Sequence, residues 1–331
     1  MTAAPHPDRA TALTQSQATR RIAVALRDAD RRLLEEHPML GRTEAVAWTF
    51  FWGAVAALAA CVYAWSVGAL GTPWTILGII LAASVLHEME HDLIHDMYIP
   101  NRVARNAVFT VIWLVKATID PWTRGRWHRW HHAVSGQEED IEERLIGMGQ
   151  PWGPFRLLMT IYPPVAIVLK PGLRRAIDRR VEEGIRRPDF RHPRFKYFFH
   201  GITGVLALLP IVGVVGWFQG AAWAWPLLVL WVLPNTIRHA AIATLSANSH
   251  YTGVERGVVI EQNQILDHPL LWPLAALCWN FGATHVLHHF LVRQPFWRRT
   301  LIFSRVREVL VFNGVPANDF ASIWRANRRG A

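Results

Sequence analysis

The sequence predicts an all-α integral membrane protein with four transmembrane helices, arranged as two hairpins, and a cytosolic helical cap. Of its 331 residues, 51% are hydrophobic, and the mean hydropathy is +0.14. The chain carries 17 Trp, and aromatic residues favour membrane interfaces. A net charge of +10 is compatible with nucleic acid, but the long apolar regions favour an anionic membrane surface. We therefore expect the lipid bilayer, and no nucleic acid, as a partner of this chain.

The first 43 residues are polar and basic and show no signal-peptide pattern. Within them, ATRRIAVALRDADRRLLEE repeats apolar residues at helical spacing beside many arginines. Two interpretations are open. The segment is an amphipathic helix that lies on an anionic membrane surface, or a solvated helix packed on the rest of the protein.

Two long apolar regions each have room for two membrane spans. They run from about 44 to 95 and from about 201 to 250, and a spanning helix needs roughly 20 residues. Each contains a short uncharged turn, SVGALGTP in the first and WFQGAA in the second. Pro234 lies inside the fourth predicted span and should kink it. Shorter apolar stretches are expected to form interfacial or cap helices, near 107–119, 155–169 and 269–282.

The positions of the basic residues predict the topology. No Lys or Arg occurs between Arg42 and Arg102, and none between Lys196 and Arg238. By the positive-inside rule both termini and the middle segment are cytosolic, in a multi-pass protein that we place in a bacterial inner membrane. The predicted segments are a basic amphipathic arm (1–43), a first hairpin (44–95), a cytosolic cap segment (96–200), a second hairpin (201–250), and a second cap segment with the C-terminal tail (251–331).

A ladder of three histidines ends the second predicted span. HEMEHDLIH places His87, His91 and His95 four residues apart. On a helix they share one face, each about 6 Å above the last.

Three further histidine groups accompany the ladder. They are HRWHH with His128, His131 and His132, NSHYTG with His250, and HVLHH with His285, His288 and His289. The spacing HxxHH lets all three histidines face one metal or one pair of metals. By the predicted topology every group lies at or beyond the cytosolic end of a span. The hairpins can therefore bring all ten histidines to one metal site in the cap.

The number and type of these ligands favour iron. A zinc site closes with about four ligands, and imidazole also suits iron, copper and nickel. A nitrogen-rich site for two metals that opens toward a membrane fits iron used with dioxygen. The second ring nitrogen of each ligand needs an acceptor. We expect Glu88 and Asp92 on the ladder helix, and Asp140 in QEEDIEER, to supply acceptors.

These boxes resemble those of the membrane fatty acid desaturase and hydroxylase superfamily, written HxxxH, HxxHH and HxxHH, with another histidine near the end of the fourth span. The counterparts here are residues 87–95, HRWHH, HVLHH and His250, so the resemblance covers residues from about 44 to 290. It implies a non-haem di-iron centre at the cytosolic membrane face. Such a centre uses dioxygen and two external electrons to attack an unactivated C–H bond of a fatty acid or acyl chain. We expect desaturation.

The first box departs from the family pattern because it is doubled. HEMEH is similar to the alkane hydroxylase form HExxH, and HDLIH to the desaturase form HDxxH. His91 belongs to both, and we prefer His91 and His95 as the ligating pair. The doubled box, together with SGQEEDIEER, is also similar to a bacterial branch that converts free fatty acids to terminal alkenes by oxidative decarboxylation. That reaction and acyl or alkane hydroxylation are the alternatives to desaturation.

A second departure concerns the fourth span. Some family members have an asparagine four residues before the fourth-span histidine, where this chain has Ser246. Asn248 is two residues before His250, and Asn235 with His239 forms another pair four residues apart. An ionisable residue within a span is a functional candidate. We therefore treat Asn235, His239 and Asn248 as possible metal ligands or lining of the site.

Two other classes compete with this interpretation. HEMEH also matches the HExxH helix of zinc proteases, with Glu88 as general base. That interpretation leaves both HxxHH boxes unexplained, and metal analysis separates it, with one zinc per chain against about two irons. A metal or haem carrier would account for the histidines but not for the apolar spans beside them.

Residues near the boxes are candidates for contacts with the substrate. The aromatic candidates for lining an acyl channel are Trp113, Trp127, Trp130, Trp231 and Trp279. The basic candidates for an anionic head group are Arg124, Arg126, Arg129 and Arg238.

The electrons must come from a separate donor. The chain has two cysteines, Cys61 and Cys278, and no CxxC motif, which argues against a disulfide framework, a zinc ribbon or a fused iron–sulfur module. The basic cytosolic face would attract an acidic donor such as ferredoxin, supplied by its reductase.

Overall fold

The structure, a computed structural model, describes residues 14–116, 119–185 and 193–330, and the regular secondary structure within them is helical. Within these ranges it contains isolated β-bridges but no strand, so the all-α prediction is confirmed. Residues 1–13 of the predicted arm and short parts of the 96–200 segment lie outside the described residues. In chain order the helices are α1 (Gln15–Glu36), α2 (Thr43–Ser66), α3 (Thr72–Leu93), α4 (Arg102–Lys116), α5 (Pro121–Val134), α6 (Ile141–Leu145), α7 (Pro154–Ile161), α8 (Pro164–Leu169), α9 (Pro171–Ile185), α10 (Pro193–Phe218), α11 (Ala224–Leu227), α12 (Leu233–Ser249), α13 (Val259–Gln262), α14 (Trp272–Ala276), α15 (Phe281–Phe290), α16 (Phe296–Phe312) and α17 (Ala321–Trp324).

Four helical segments are long and apolar enough to cross a membrane, as the sequence predicted. They are Thr43–Ser66, Thr72–Leu93, Gly201–Phe218 and Ala224–Ser249. The first two are joined by a turn at residues 67–71 and the last two by a turn at 219–223. Exposed tryptophans stand beside these turns, as expected of membrane-interface anchors: Trp74, Trp217, Trp223 and Trp225.

The spans divide into an inner and an outer pair. In α3 and in the Ala224–Ser249 span, 56% and 50% of the apolar window is buried, against 17% in α2 and 11% in the span of α10. The last turns of α3 carry HEMEHDL, whose polar groups need partners and must be enclosed by protein. Helix α2 is apolar on every side and has no such groups to shield, so its sides are free to face lipid.

The predicted kink at Pro234 takes the form of a π-helical turn. This turn covers Leu228–Val232, and Pro234 lies in the first turn of α12. Proline has no N–H, and its ring clashes with the carbonyl four residues earlier in a regular helix. The wider turn accommodates that clash without ending the span.

The arm helix α1 packs against the protein. It begins with a capping box in which Thr14 accepts from the Gln17 N–H and the Gln17 side chain accepts from the Thr14 N–H. Its apolar face, around Leu26, is buried against α16, which contributes Ile302 and Val306. The exposed face carries Arg20, Arg21, Arg27, Arg31 and Arg32. Of the two interpretations of this segment, the packed helix matches the structure.

The apolar stretches that are predicted to be too short to span form short helices, among them α4, α7, α8 and α14. The third stretch has a special shape. Segment 269–276 and α15 together are long and apolar enough to span, but they are bent by 82° at the break between them. Trp279 and Asn280, both in the left-handed backbone region, form this break. The bend lays α15 against the end of α12, where the histidine groups meet.

Candidate metal centre

Four parts of the chain bring their histidines together at one end of the spans. They are the end of α3, the last half of α5, the residue that follows α12, and α15. The Asp120 side chain caps α5 by accepting the Thr123 N–H at 2.8 Å, and Pro121 follows in the first turn. The cap sets where α5 begins, and HRWHH then falls in its last two turns.

The histidines form two groups of four. In each group, one ring nitrogen per residue lies within 4.8 Å of the corresponding nitrogens of the others, and every member is buried. Group A contains His91, His95, His128 and His288. Group B contains His131, His250, His285 and His289. Each HxxHH box therefore contributes to both groups.

The two remaining predicted ligands differ in position. His132 lies between the groups, with its Nε2 2.9 Å from His288 Nε2 and its ring centroid 4.6 Å from that of His289. His87 belongs to neither group, and its buried Nδ1 has no hydrogen-bond partner among the described residues. The nitrogens that converge on the two groups are thus those of His91 and His95, not of His87.

The convergent nitrogens fit a pair of bound cations. The Nε2 atom of His285 lies 3.0 Å from His250 Nε2 and 3.1 Å from His289 Nε2. His91 has two buried ring nitrogens with no hydrogen-bond partner among the described residues. Lone pairs that converge in a buried space repel one another unless a cation lies between them, and metal-bound imidazole is neutral.

Burial keeps most of these imidazoles neutral. It lowers the pKa of His95 to about 3, with the arginines around it adding to the effect. It also holds the pKa of six others well below the ordinary value, aided by neighbouring charged groups: His128, His132, His250, His285, His288 and His289.

His131 is the exception among the imidazoles outside the spans. Burial alone would lower its pKa, but the Asp140 carboxylate, 2.8 Å from His131 Nδ1, raises it to about 9. This carboxylate holds a proton on Nδ1, which leaves Nε2 as the atom that faces group B. A histidine so oriented is the usual partner of a metal.

Two carboxylates of the segment after the second box therefore contact ligand candidates. Asp140, which the sequence predicted, bonds to His131, and Glu142 bonds in the same way to His128, at 2.8 Å from its Nδ1. Sequence reasoning missed Glu142 because it selected only Asp140 from the acidic residues of QEEDIEER. Its position two residues after a predicted acceptor was the available signal.

Glu88 and Asp92 are predicted to accept from histidine ring nitrogens, and in the structure both carboxylates also lie beside Arg299. Asp92 accepts from Arg299 Nη1 at 2.9 Å and from Tyr98 at 2.6 Å, and Glu88 lies 3.5 Å from Arg299. Asp92 Oδ1 also lies 3.7 Å from His91 Nδ1, so its role as an acceptor for a histidine stays a prediction, while α16 brings a buried guanidinium to the same carboxylates. Arg299 is 207 residues from Asp92, and no local pattern indicates the pair.

The polar candidates of the fourth span lie outside both groups. Asn235 donates to the Val115 carbonyl at 2.8 Å, and the Asn248 amide oxygen accepts from Arg156 at 2.6 Å. His239 is also in neither group. Ser246, at the position of the family's asparagine, donates to Glu143 at 2.8 Å.

The five predicted channel tryptophans do not share one environment. Trp113 is buried in α4, and Trp231 donates to a backbone carbonyl of α4 at 3.0 Å. Trp279 packs edge-on against aromatic rings of α2 and α16. Trp130 lies beneath an arginine of α9, 4.0 Å from its ring centroid, and Trp127 is half-buried on α5.

The predicted head-group arginines also differ. Arg124 is paired with Glu90 at 3.0 Å, Arg126 is half-buried on α5, and Arg129 is exposed and donates to a carbonyl at the end of α3. Arg238 alone of the four is fully buried, with 1% of its surface exposed.

The chain matches the model of a known protein family. A family model described as "Fatty acid desaturase" matches residues 64–321, a range that includes all ten clustered histidines. No curated protein matches the chain.

Proposed function

The chain belongs to the fatty acid desaturase family, and from this premise we propose that it is a di-iron oxidoreductase. It uses dioxygen and two external electrons to oxidise an unactivated C–H bond of a fatty acid or acyl chain, and the reaction that we propose is desaturation. The observation that carries this proposal is the pair of buried four-histidine groups at one end of four apolar spans.

Group A would hold one iron and group B the other, with His132 placed to reach either. Bound iron would supply the activation of dioxygen and the removal of hydrogen from an unactivated carbon, and neutral ligands would leave its full cationic charge to favour a strong oxidant. The family match and the nitrogen-only ligand set support iron over zinc.

The protein's own residues orient the ligands and keep the site closed. Asp140 and Glu142 keep the Nδ1 protons of His131 and His128 in place, so that Nε2 faces the centre. Arg299, bound to Asp92 and buried, joins α16 to the ladder helix beneath group A. An acyl chain enters from the bilayer, and its orientation selects the carbon that reacts.

Localisation and partners complete the proposal. We place the histidine end of the spans, both termini and both cap segments on the cytosolic side of a bacterial inner membrane. The lack of basic residues in the far turns supports this orientation. The exposed arginines of α1 support an acidic electron donor such as ferredoxin, reduced by its own reductase.

Product analysis tests the reaction. The purified protein in lipid nanodiscs receives iron, a ferredoxin and its reductase, and deuterated fatty acids or acyl thioesters, and mass spectrometry follows the lipids and the headspace. An internal double bond, with two hydrogens lost from adjacent carbons, is the expected product. A hydroxylated chain would show that the reaction is hydroxylation instead of desaturation. A terminal alkene one carbon shorter would show that it is oxidative decarboxylation. Iron-loaded, reduced protein that oxidises no acyl chain would overturn the enzyme proposal.

A further inference from the structure

A buried arginine in the fourth span lacks a counter-charge. Arg238 is among the largest fully buried side chains of the protein. Its Nε, Nη1 and Nη2 atoms are all buried, and none has a hydrogen-bond partner among the described residues. Arginine is almost never fully buried unless it is paired, because the buried charge costs several kcal/mol without compensation.

The carboxylates near Arg238 already have other partners. Glu90 lies close enough to Arg238 for their charges to interact. One carboxylate oxygen of Glu90 accepts a hydrogen bond from Lys116 and the other accepts one from Arg124. Arg124 also bonds to Glu142 at 3.2 Å. Both oxygens of Glu90 and one oxygen of Glu142 are therefore bonded to Lys116 or Arg124, and none of them forms an ion pair or a hydrogen bond with Arg238.

Other buried polar atoms near Arg238 also lack partners among the described residues. They include Nδ1 of His87 and Nε2 of His239, and both of these residues are close enough to interact electrostatically with Arg238. The two other fully enclosed arginines are different: Arg156 donates to four acceptors, and Arg299 donates to Asp92 and to a backbone carbonyl. Among these three arginines, only Arg238 has no hydrogen-bond partner, within the described part of the chain, at any of its guanidinium nitrogens.

We propose that Arg238 binds the carboxylate of a free fatty acid, so that the substrate is the free acid rather than a thioester or a phospholipid. The identity of the chain behind this carboxylate rests on the proposed function. A guanidinium binds a carboxylate through two parallel hydrogen bonds, and burial strengthens this ion pair. Because only 1% of its surface is exposed, a ligand of Arg238 must be small enough to be enclosed with it, which a carboxylate is and a coenzyme A or phospholipid head group is not.

The position of Arg238 relates the carboxylate to the metal centre. Arg238 precedes His250 by twelve residues, which corresponds to about 18 Å along α12. Arg238 is close enough to His87 to interact with it electrostatically, and His87 lies one helical turn from the ligand candidate His91. A fatty acid held at Arg238 therefore has its carboxyl end on the membrane side of the ladder.

A binding experiment tests the proposal without turnover. Equilibrium binding of palmitic acid and of palmityl alcohol is measured on the full-length protein in nanodiscs, at mildly alkaline pH where the acid is ionised. The wild-type protein should prefer the acid by about tenfold or more, the effect of a charge-assisted pair. Arg238→Gln should abolish the preference and leave binding of the alcohol unchanged, whereas Arg238→Lys should retain part of it.

Arg156→Gln is the matched control, because Arg156 is equally enclosed but fully hydrogen-bonded. It should lower the unfolding temperature and keep the preference for the acid, whereas Arg238→Gln should not lower the unfolding temperature. Equal binding of acid and alcohol by the wild-type protein, an unchanged preference in Arg238→Gln, or a loss of stability in that variant like that of Arg156→Gln would each overturn the proposal. Failure of the iron-loaded protein to oxidise a bound acid would instead overturn the proposed function.

Discussion

At the scale of single residues, the doubled first box leaves a choice that ligand geometry can resolve. His87 and His95 are eight residues apart, or about 12 Å along a helix, whereas two metals in one site lie about 3.5–4 Å apart. The three histidines of this helix face therefore cannot all bind the two metals in the same way. In the structure, His91 and His95 point their nitrogens into group A and His87 does not.

We predict that His91→Ala abolishes activity and removes the iron of group A, while His87→Ala retains most of its iron. The physical reason is that, of the three ladder histidines, only His91 and His95 converge with His128 and His288. Iron per chain is measured on each purified variant, with His95→Ala as the comparison. Complete and equal loss of iron in His87→Ala and His95→Ala would show that all three rungs bind, contrary to this prediction.

Asp140, which accepts the hydrogen bond from His131, provides a second test at the residue scale. Asp140→Asn should weaken iron binding about 10- to 100-fold, the usual effect of losing the carboxylate behind a ligating histidine. Asparagine still caps the start of α6, where Asp140 accepts from the Glu143 N–H, so the helix should persist. Chelator competition measures the affinity. The neighbouring Glu139→Gln, at an exposed position, is the control and should bind iron as the wild type does.

At the scale of elements, the two hairpins determine whether the histidine groups share one side of the membrane. Reporters fused at positions 69 and 219 lie in the uncharged turns, and those at 180 and 331 lie in the cap and tail. We predict extracytoplasmic signals from the first two and cytosolic signals from the others, because the basic residues lie outside the far turns. A cytosolic signal at position 69 would contradict the proposed topology.

The packing of α1 gives a second test at this scale. Leu26 is completely buried against α16. Leu26→Ala should therefore cost about 2–5 kcal/mol of stability, through lost burial and the cavity left behind. Thermal unfolding of the variant is compared with that of Val24→Ala, whose side chain is 46% exposed and which should change little. Equal unfolding temperatures for the two variants would indicate that α1 leaves the protein to lie on the membrane.

At the scale of the whole molecule, the metal centre joins segments that are far apart in the chain. Histidines from residues 91–95, 128–131, 250 and 285–289 meet at one place, and each of the two groups combines histidines from several of these segments. Metals bound there would connect α3, α5, α12 and α15, so their binding free energy would add to the stability of the folded state.

We predict two irons per chain, and a lower unfolding temperature after chelation that is restored by adding iron back. The reason is that chelation removes a ligand that binds the folded state alone. Calorimetry or a thermal-shift assay measures the change alongside elemental analysis. His131→Ala is the control, since it should hold less iron and respond less to the chelator. One zinc per chain, with no iron, would favour the protease interpretation of HEMEH.

The sequence by itself determined the spans and the candidate ligands of this protein. Hydropathy and the absence of Lys and Arg are local properties, so the two hairpins could be predicted. The spacing within HRWHH and HVLHH is likewise local, and so is the position of Asp140 a short distance after the second box. These features need no knowledge of what the chain packs against.

Only the tertiary structure decided how those residues are shared and paired. It divided each HxxHH box between two groups, paired Arg299 with Asp92 across 207 residues, and covered the apolar face of α1 with α16. It also left Arg238 buried without a counter-charge. Such contacts depend on helices that are distant in sequence and adjacent in space. The partner of a buried charge is set by that packing, and no periodicity in the chain encodes it.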